Sequence, residues 1–266
     1  GTITASSVVV TYVAALPVAA TLTGAYTLDQ SSSTYANLFS TSAITNAGVS
    51  LVIDRTMDTS ATISVAGTSS SDAQFKMQVQ ALDSAAAAVT GVPVVVTATD
   101  GAWMRSPSTG KAVKTLTLYP SSTGYVTVDA LLTKTGTSTY TFTHGTTVLT
   151  QTVSAKNATA DARNVSLTAS GSDVTTKVTD RFGNAVAGIN VQLSTSVGTL
   201  GNGQKTSVYT TNTSGEIAIV VDVDGATTVT AYLSDANDST SIAGYSGTSI
   251  IDATVPAGIR TATLAV

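Results

Sequence analysis

Cysteine does not occur in this sequence of 266 residues. Its absence rules out a disulfide framework, thiolate-bound zinc and a thiolate nucleophile. It also leaves the redox compartment unmarked. Histidine occurs once, as His144, and glutamate once, as Glu216. A metal centre built on two or more histidines is therefore excluded by count. Charged residues make up 11% of the chain, well under the roughly 25% of an ordinary soluble protein. The net charge is -4 and the pI is about 4.7. With no cluster of Lys or Arg, nothing is available to neutralise phosphates, so a nucleic-acid partner is excluded. Aromatic residues are 5% and scattered. No stretch carries apolar residues on a helical period, and the run Ala85–Ala88 is too short to nucleate a helix.

Thr and Ser take the place of the missing charges, at roughly 30% of the chain. Hydrophobic residues are 42%, enough for a substantial core. The dominant pattern is strict alternation, as in Phe75–Ala81, Tyr125–Ala130 and Val165–Ala169. Each reads as a strand with one buried and one wet face. Turn clusters separate these runs, among them Ser106–Gly110, Asp180–Asn184 and Gly201–Gly203. Many short strands at this spacing predict an all-β sandwich or barrel.

The sequence also repeats itself. At an offset of 97 residues, Met77, Val79 and Ala81 fall on Val174, Thr176 and Val178, and Asp83 falls on Asp180. In the same frame Gly91-Val92 falls on Gly188-Ile189, and Gly101-Ala102-Trp103 on Gly198-Thr199-Leu200. After a length change of six residues, Gly124-Tyr125-Val126 aligns with Gly215-Glu216-Ile217; after two more, Gly136–Tyr140 aligns with Gly225–Val229. The length changes fall in turn-rich segments, where insertions are tolerated. One unit of about 95 residues therefore occurs twice.

The second unit reads Val178-Thr179-Asp180-Arg181-Phe182-Gly183-Asn184-Ala185-Val186-Ala187-Gly188-Ile189-Asn190-Val191, then Gly198-Thr199-Leu200, Thr211–Gly215 and Gly225–Ala231. This resembles the bacterial immunoglobulin-like domain of invasin, intimin and many bacterial surface proteins. Such domains carry an Asp-x-x-Gly-Asn turn before a hydrophobic strand. In the first unit, Ala85–Ala88 stands where the second has that turn. The resemblance spans residues 58–247. It implies tandem immunoglobulin-like β-sandwiches with an extra N-terminal β segment, in stalks, lattices or adhesins alike.

The expected division follows. Residues 1–57 form an N-terminal β segment or partial domain, 58–156 a first sandwich, 157–247 a second, and 248–266 a C-terminal strand or linker. Outside the repeat, strand candidates are Ile3–Val13, Val18–Leu28, Val49–Ile53, Ile250-Ile251 and Thr261–Val266. The most apolar stretch, Val8–Leu22, is broken by Thr11, Pro17 and Thr21 and is too short and polar to span a bilayer as a helix. It reads either as strands packed on the neighbouring sandwich or as an arm that completes a sheet in another subunit. No signal peptide is visible, so the chain reads as a mature protein or a segment of a longer one, with no membrane anchor included.

No constellation of catalytic side chains emerges. His144 has no G-x-S-x-G elbow to serve and lies at a strand end before Gly145, so it is expected as an exposed turn histidine. Glu216 falls in a predicted strand, and the carboxylates are dispersed. No Gly-rich phosphate loop leads into a helix. The chain is read as non-enzymatic and cofactor-free, with calcium as the one ion to consider. Its candidate ligands are Asp222 and Asp224, two apart at a turn, and Asp235 and Asp238 in a polar loop. Calcium takes six to eight oxygens, and neither pair suffices alone, so the competing reading is solvated turns. Asn157, Asn164, Asn212 and Asn237 open N-x-Ser/Thr triplets, which arise easily in a chain so rich in hydroxyls. Trp103 and Phe182 are expected to pack in the core or turns, and Tyr209 and Tyr245 to be available for contacts.

The functional expectation is an extracellular, cell-surface structural protein that assembles with copies of itself into an S-layer lattice or filament. The alternative is an adhesin or stalk segment that presents a separate binding domain. Contact with a cell-envelope glycan or host surface belongs to either reading. A carbohydrate-binding module would need an aromatic platform, and no aromatic cluster is visible in the sequence.

Overall fold

The computed structural model describes residues 17–28, 33–40, 44, 51–53, 74–99, 101–106, 109–157, 162, 164–180, 182–236 and 258–265. All their regular structure is β. Two sandwiches follow one another along the chain, each made of two sheets that share a core.

In the first sandwich, one sheet has the order β2 (Asn37–Leu38), β1 (Thr21–Thr27), β4 (Gln74–Leu82), β9 (Tyr125–Leu132), β6 (Ala102–Ser106), β7 (Thr109–Val113). The facing sheet runs β3 (Leu51–Ile53), β11 (Thr147–Asn157), β10 (Gly136–His144), β5 (Val94–Ala98), β8 (Thr115–Leu118). Among the described strands every pairing is antiparallel except that of β3 with β11, and the isolated bridge between Ile44 and Val153 is parallel as well. Alternation in the sequence becomes alternation in space, because successive side chains of a strand point to opposite faces. Phe75, Met77, Val79 and Ala81 of β4 are buried against Tyr140 and Phe142 of β10 and Val94 and Val96 of β5. Phe75 meets Tyr140 edge to face, with ring centroids 5.7 Å apart. The buried Tyr140 hydroxyl lies 3.0 Å from the carbonyl oxygens of both Trp103 and Leu131, which keeps its polar end satisfied.

The second sandwich repeats the plan. One sheet is β12 (Asn164–Ser170), β13 (Asp173–Thr179), β17 (Glu216–Asp222), β15 (Thr199–Leu200). The other is β16 (Thr206–Thr210), β14 (Asn190–Thr195), β18 (Thr228–Ala236), β19 (Gly258–Ala265). Its core is aliphatic: Val174, Val178, Val191, Leu193, Leu200, Ile217, Val221, Val229 and Leu233. The strand orders match one for one: β1-β4-β9-β6 with β12-β13-β17-β15, and β8-β5-β10-β11 with β16-β14-β18-β19. Individual bonds match too. Ala98 N donates to Lys114 O and Thr195 N to Lys205 O; Thr99 N donates to Thr139 O and Ser196 N to Thr228 O. The six-residue length change in the repeat is accounted for by β7, an extra edge strand that the second sandwich replaces with the turn at Gly201–Gly203. These two-sheet sandwiches of matching order are immunoglobulin-like.

The pairings cross the divisions expected at residues 57 and 247. β1 pairs along its length with β4, and Leu22 is buried in the first core. The candidate strand Val18–Leu28 thus lies in a sheet of its own chain. Of the candidate Val49–Ile53, Leu51–Ile53 form β3, and of the tail strand Thr261–Val266, residues 261–265 belong to β19, paired with β18. Residues 1–16, which hold Ile3–Val13 and most of the apolar stretch, and Ile250-Ile251 lie outside the described residues. No helix among the described residues is long and apolar enough to cross a membrane.

Candidate functional site at the junction of the two sandwiches

The Asp-x-x-Gly-Asn turn between β13 and β14 does two jobs. Within its own sandwich, the buried Asp180 organises the turn: its Oδ1 accepts from Phe182 N at 2.9 Å and from Asn184 N at 2.8 Å. Asp180 N donates to Asn184 O, and Gly183 takes a φ of 86° so that the chain can reverse. The turn then holds the Asn184 side chain, whose Nδ2 donates to Asp180 Oδ2 at 2.8 Å. The rest of that amide faces the first sandwich. Nδ2 also donates to Thr133 O at 2.9 Å, and Oδ1 accepts from Thr135 N at 3.1 Å. Phe182, beside it, packs against the first core. One amide with a donor and an acceptor edge thus clips the second sandwich onto the loop between β9 and β10 of the first. A carboxylate buried behind it fixes which edge points where.

The equivalent turn of the first sandwich is built the same way. Asp83 Oδ1 accepts from Ala85 N and Ala87 N, and Asp83 N donates to Ala87 O. Ala86 takes the place of Gly183 with a φ of 61° and is the sole non-glycine residue at positive φ among the described residues. Ala87 takes the place of Asn184 and has no side-chain amide. The docking amide therefore belongs to the second unit only.

The sequence candidates scatter. Asp222 ends β17, and Asp224 sits in the turn before β18; both are exposed. In the repeat register Asp222 stands where Leu132 stands in the first sandwich and Asp224 where Thr135 stands, in the loop that receives Asn184. Asp235 lies near the other end of β18, seven residues past its first residue, or roughly 23 Å at the rise of a strand. Asp238 lies outside the described residues. Asp235 is thus set apart along β18 from the turn that holds Asp222 and Asp224, and no group of three His, Asp or Glu that could hold a metal ion occurs among the described residues.

His144 corrects an expectation. It is not an exposed turn residue but is 1% exposed, with Nδ1 3.2 Å from Pro93 O. The reason is strand parity: Ser138, Tyr140, Phe142 and His144 form the inward row of β10, and the row continues to its last residue. Glu216 lies in β17 as expected and pairs with Lys177 at 3.1 Å on an exposed surface. Trp103 is half-buried; its Nε1 donates to Thr133 Oγ1 at 3.1 Å, and Lys114 Nζ lies 4.1 Å from its ring centroid. Asn212 Oδ1 caps its own turn by accepting from Ser214 N and Glu216 N. Tyr209 is half-buried, and Tyr245 lies outside the described residues.

No family model and no curated protein sequence matches the chain. Solved structures do. Invasin, a bacterial integrin-binding protein, is matched at 15% identity and a TM-score of 0.36, over 89% of this chain and 39% of that one. The D0-D1 domain of intimin is matched at 16% identity and a TM-score of 0.26, over 72% of this chain and 89% of that one. Domains 5-6 of the S-layer protein SbsC are matched at 20% identity and a TM-score of 0.25, over 59% of this chain and 82% of that one. The chain thus spans about two fifths of the length of the invasin structure.

Proposed function

We propose that this chain is a non-catalytic spacer of an extracellular, cell-surface protein, in which two immunoglobulin-like modules are held at a fixed angle to carry or position other parts. The observation that carries this reading is the Asn184 clip. Loosely tethered modules need no shared hydrogen bonds, whereas here a buried carboxylate orients an amide so that it satisfies two backbone groups of its neighbour. The modules are taken to run from residue 17 to 157 and from 162 to 265, following the strand pairings. The low charge of the chain supports a second reading, in which copies pack into a lattice or filament, because weak self-repulsion favours close packing. Calcium at Asp222 and Asp224 belongs to that second reading, as an ion at the exposed end of the second sandwich.

A chain without cysteine is suited to the test. Spin labels at Thr117→Cys and Thr206→Cys, both exposed and one on each sandwich, report the distance between modules by double electron–electron resonance. A single narrow distance is expected in the parent and a broad one in Asn184→Ala, which loses two inter-module hydrogen bonds of about 1 kcal/mol each. A broad distribution in the parent refutes the spacer reading. Light scattering on the eluted protein separates the second reading, which requires association.

A further inference from the structure

The outer face of the first sandwich carries a groove of about 280 Å3. It is lined by Thr23, Gly24 and Ala25 of β1, Gln78 and Gln80 of β4, Tyr125 of β9, and Tyr35 and Leu38 at the rim. β1 supplies a floor of small residues, and the two tyrosines stand beside it. Gln78 and Gln80 face outward because their neighbours Met77, Val79 and Ala81 take the core positions.

We infer that this groove binds a neutral saccharide. Three features point to that class. First, none of the lining residues is charged, which disfavours phosphate, carboxylate or cationic ligands as the anchor. Second, the polar groups are amides and hydroxyls that are held but not saturated. Gln80 Nε2 donates to Thr123 O at 3.0 Å, and Gln78 Nε2 reaches Thr127 Oγ1 at 3.5 Å. Both Oε1 atoms are left without a protein partner among the described residues. A side-chain amide pre-positioned by one bond, with its acceptor open, matches a sugar hydroxyl, which donates and accepts. Third, two tyrosines line the same groove as these amides, and sugar C–H faces pack on aromatic rings while the hydroxyl edge meets amides. Burial raises the pKa of the Tyr35 phenol above its ordinary value, so it stays neutral. The volume lies just under the roughly 300–1,000 Å3 of pockets for drug-sized ligands, a size for one or two sugar rings rather than a long chain. This inference stands apart from the spacer reading, since either holds without the other.

The test is an amide-resolved NMR titration of the full chain with cellotriose, maltotriose, chitotriose and mannotriose, each to millimolar concentration, beside a glycan array. Binding is expected to move the side-chain amide signals of Gln78 and Gln80. Tyr125→Ala and Gln80→Ala, both on the outer face, are each expected to weaken the binding about tenfold or more without lowering the thermal midpoint of the fold. The inference is overturned if no saccharide on panel or array moves those signals. It is equally overturned if the shifts survive both substitutions, or if the groove answers to an apolar peptide and to no sugar.

Discussion

Exchange of Ala86 and Gly183 between the two matching turns isolates the energy of one backbone angle. The turns share their Asp-centred hydrogen bonds, yet one places alanine at a φ of 61° and the other glycine at 86°. A non-glycine residue in the left-handed region costs about 1–2 kcal/mol. Glycine gives back about 0.4–1 kcal/mol of that advantage through its greater freedom in the unfolded chain. Ala86→Gly is therefore expected to stabilise by about 0.5–1 kcal/mol, and Gly183→Ala to destabilise by a similar amount. Packing does not blur the comparison: Ala86 is exposed, and a Cβ added at Gly183 meets nothing within 4 Å. With a urea slope of about 1–3 kcal/mol/M, the midpoint moves by about 0.2–1 M in opposite directions at constant slope. A lower midpoint for Ala86→Gly, or an unchanged one for Gly183→Ala, refutes the claim that the angle carries the difference.

Two buried threonines of the second sandwich should respond in opposite ways to the same substitution. Thr211 Oγ1 accepts from Ile189 N and donates to Val186 O, both at 2.9 Å, so Thr211→Val strands two buried backbone groups and is expected to cost about 1–3 kcal/mol. Thr176 Oγ1 is buried without a partner, so Thr176→Val is expected to be neutral or to stabilise by about 1 kcal/mol in urea unfolding. Asp129 provides a pH test: burial raises its pKa above the ordinary 3.8, against the pull of the Arg105 and Lys76 charges. Because its folded pKa is raised, the neutral form favours the fold, and that contribution is lost as pH rises from 3.8 through the folded value. The stability of the parent relative to Asp129→Asn should therefore fall across that window and stay flat on either side; a rise would refute the desolvation argument.

Much of the fold was legible because strand parity and turn chemistry are local. The alternation of Phe75–Ala81 and the turn signals at Asp180–Asn184 set the faces and the reversals before any tertiary contact is considered. The repeat was legible for the same reason, down to the offsets that the hydrogen bonds reproduce. The extent of each module was less so. β1 and β19 lie across long segments from the strands they pair with, and no local pattern states which sheet a lone apolar strand will join. His144 was misread because the turn that follows it was given more weight than the row of inward positions that leads to it.

The groove and the clip were hidden for a different reason, since each is a relation between distant residues. Tyr35 and Tyr125 look like isolated aromatics in a chain with few of them, and only the sheet order β2-β1-β4-β9 brings them to one surface. Asn184 was visible as a turn residue, which it is. Its amide reaches Thr133 and Thr135 because Asp180 Oδ1 already satisfies the backbone of the turn, while Asp180 Oδ2 steadies the side chain toward the neighbour. The first unit shows the alternative: with Asp83 holding the turn, Ala87 suffices, and no amide is present to dock. In this chain, then, the Asn at the last position of the turn, where Asp180 has already taken the capping role, seats the second module on its predecessor, and the Ala at the equivalent position of the first unit carries no amide that could do the same.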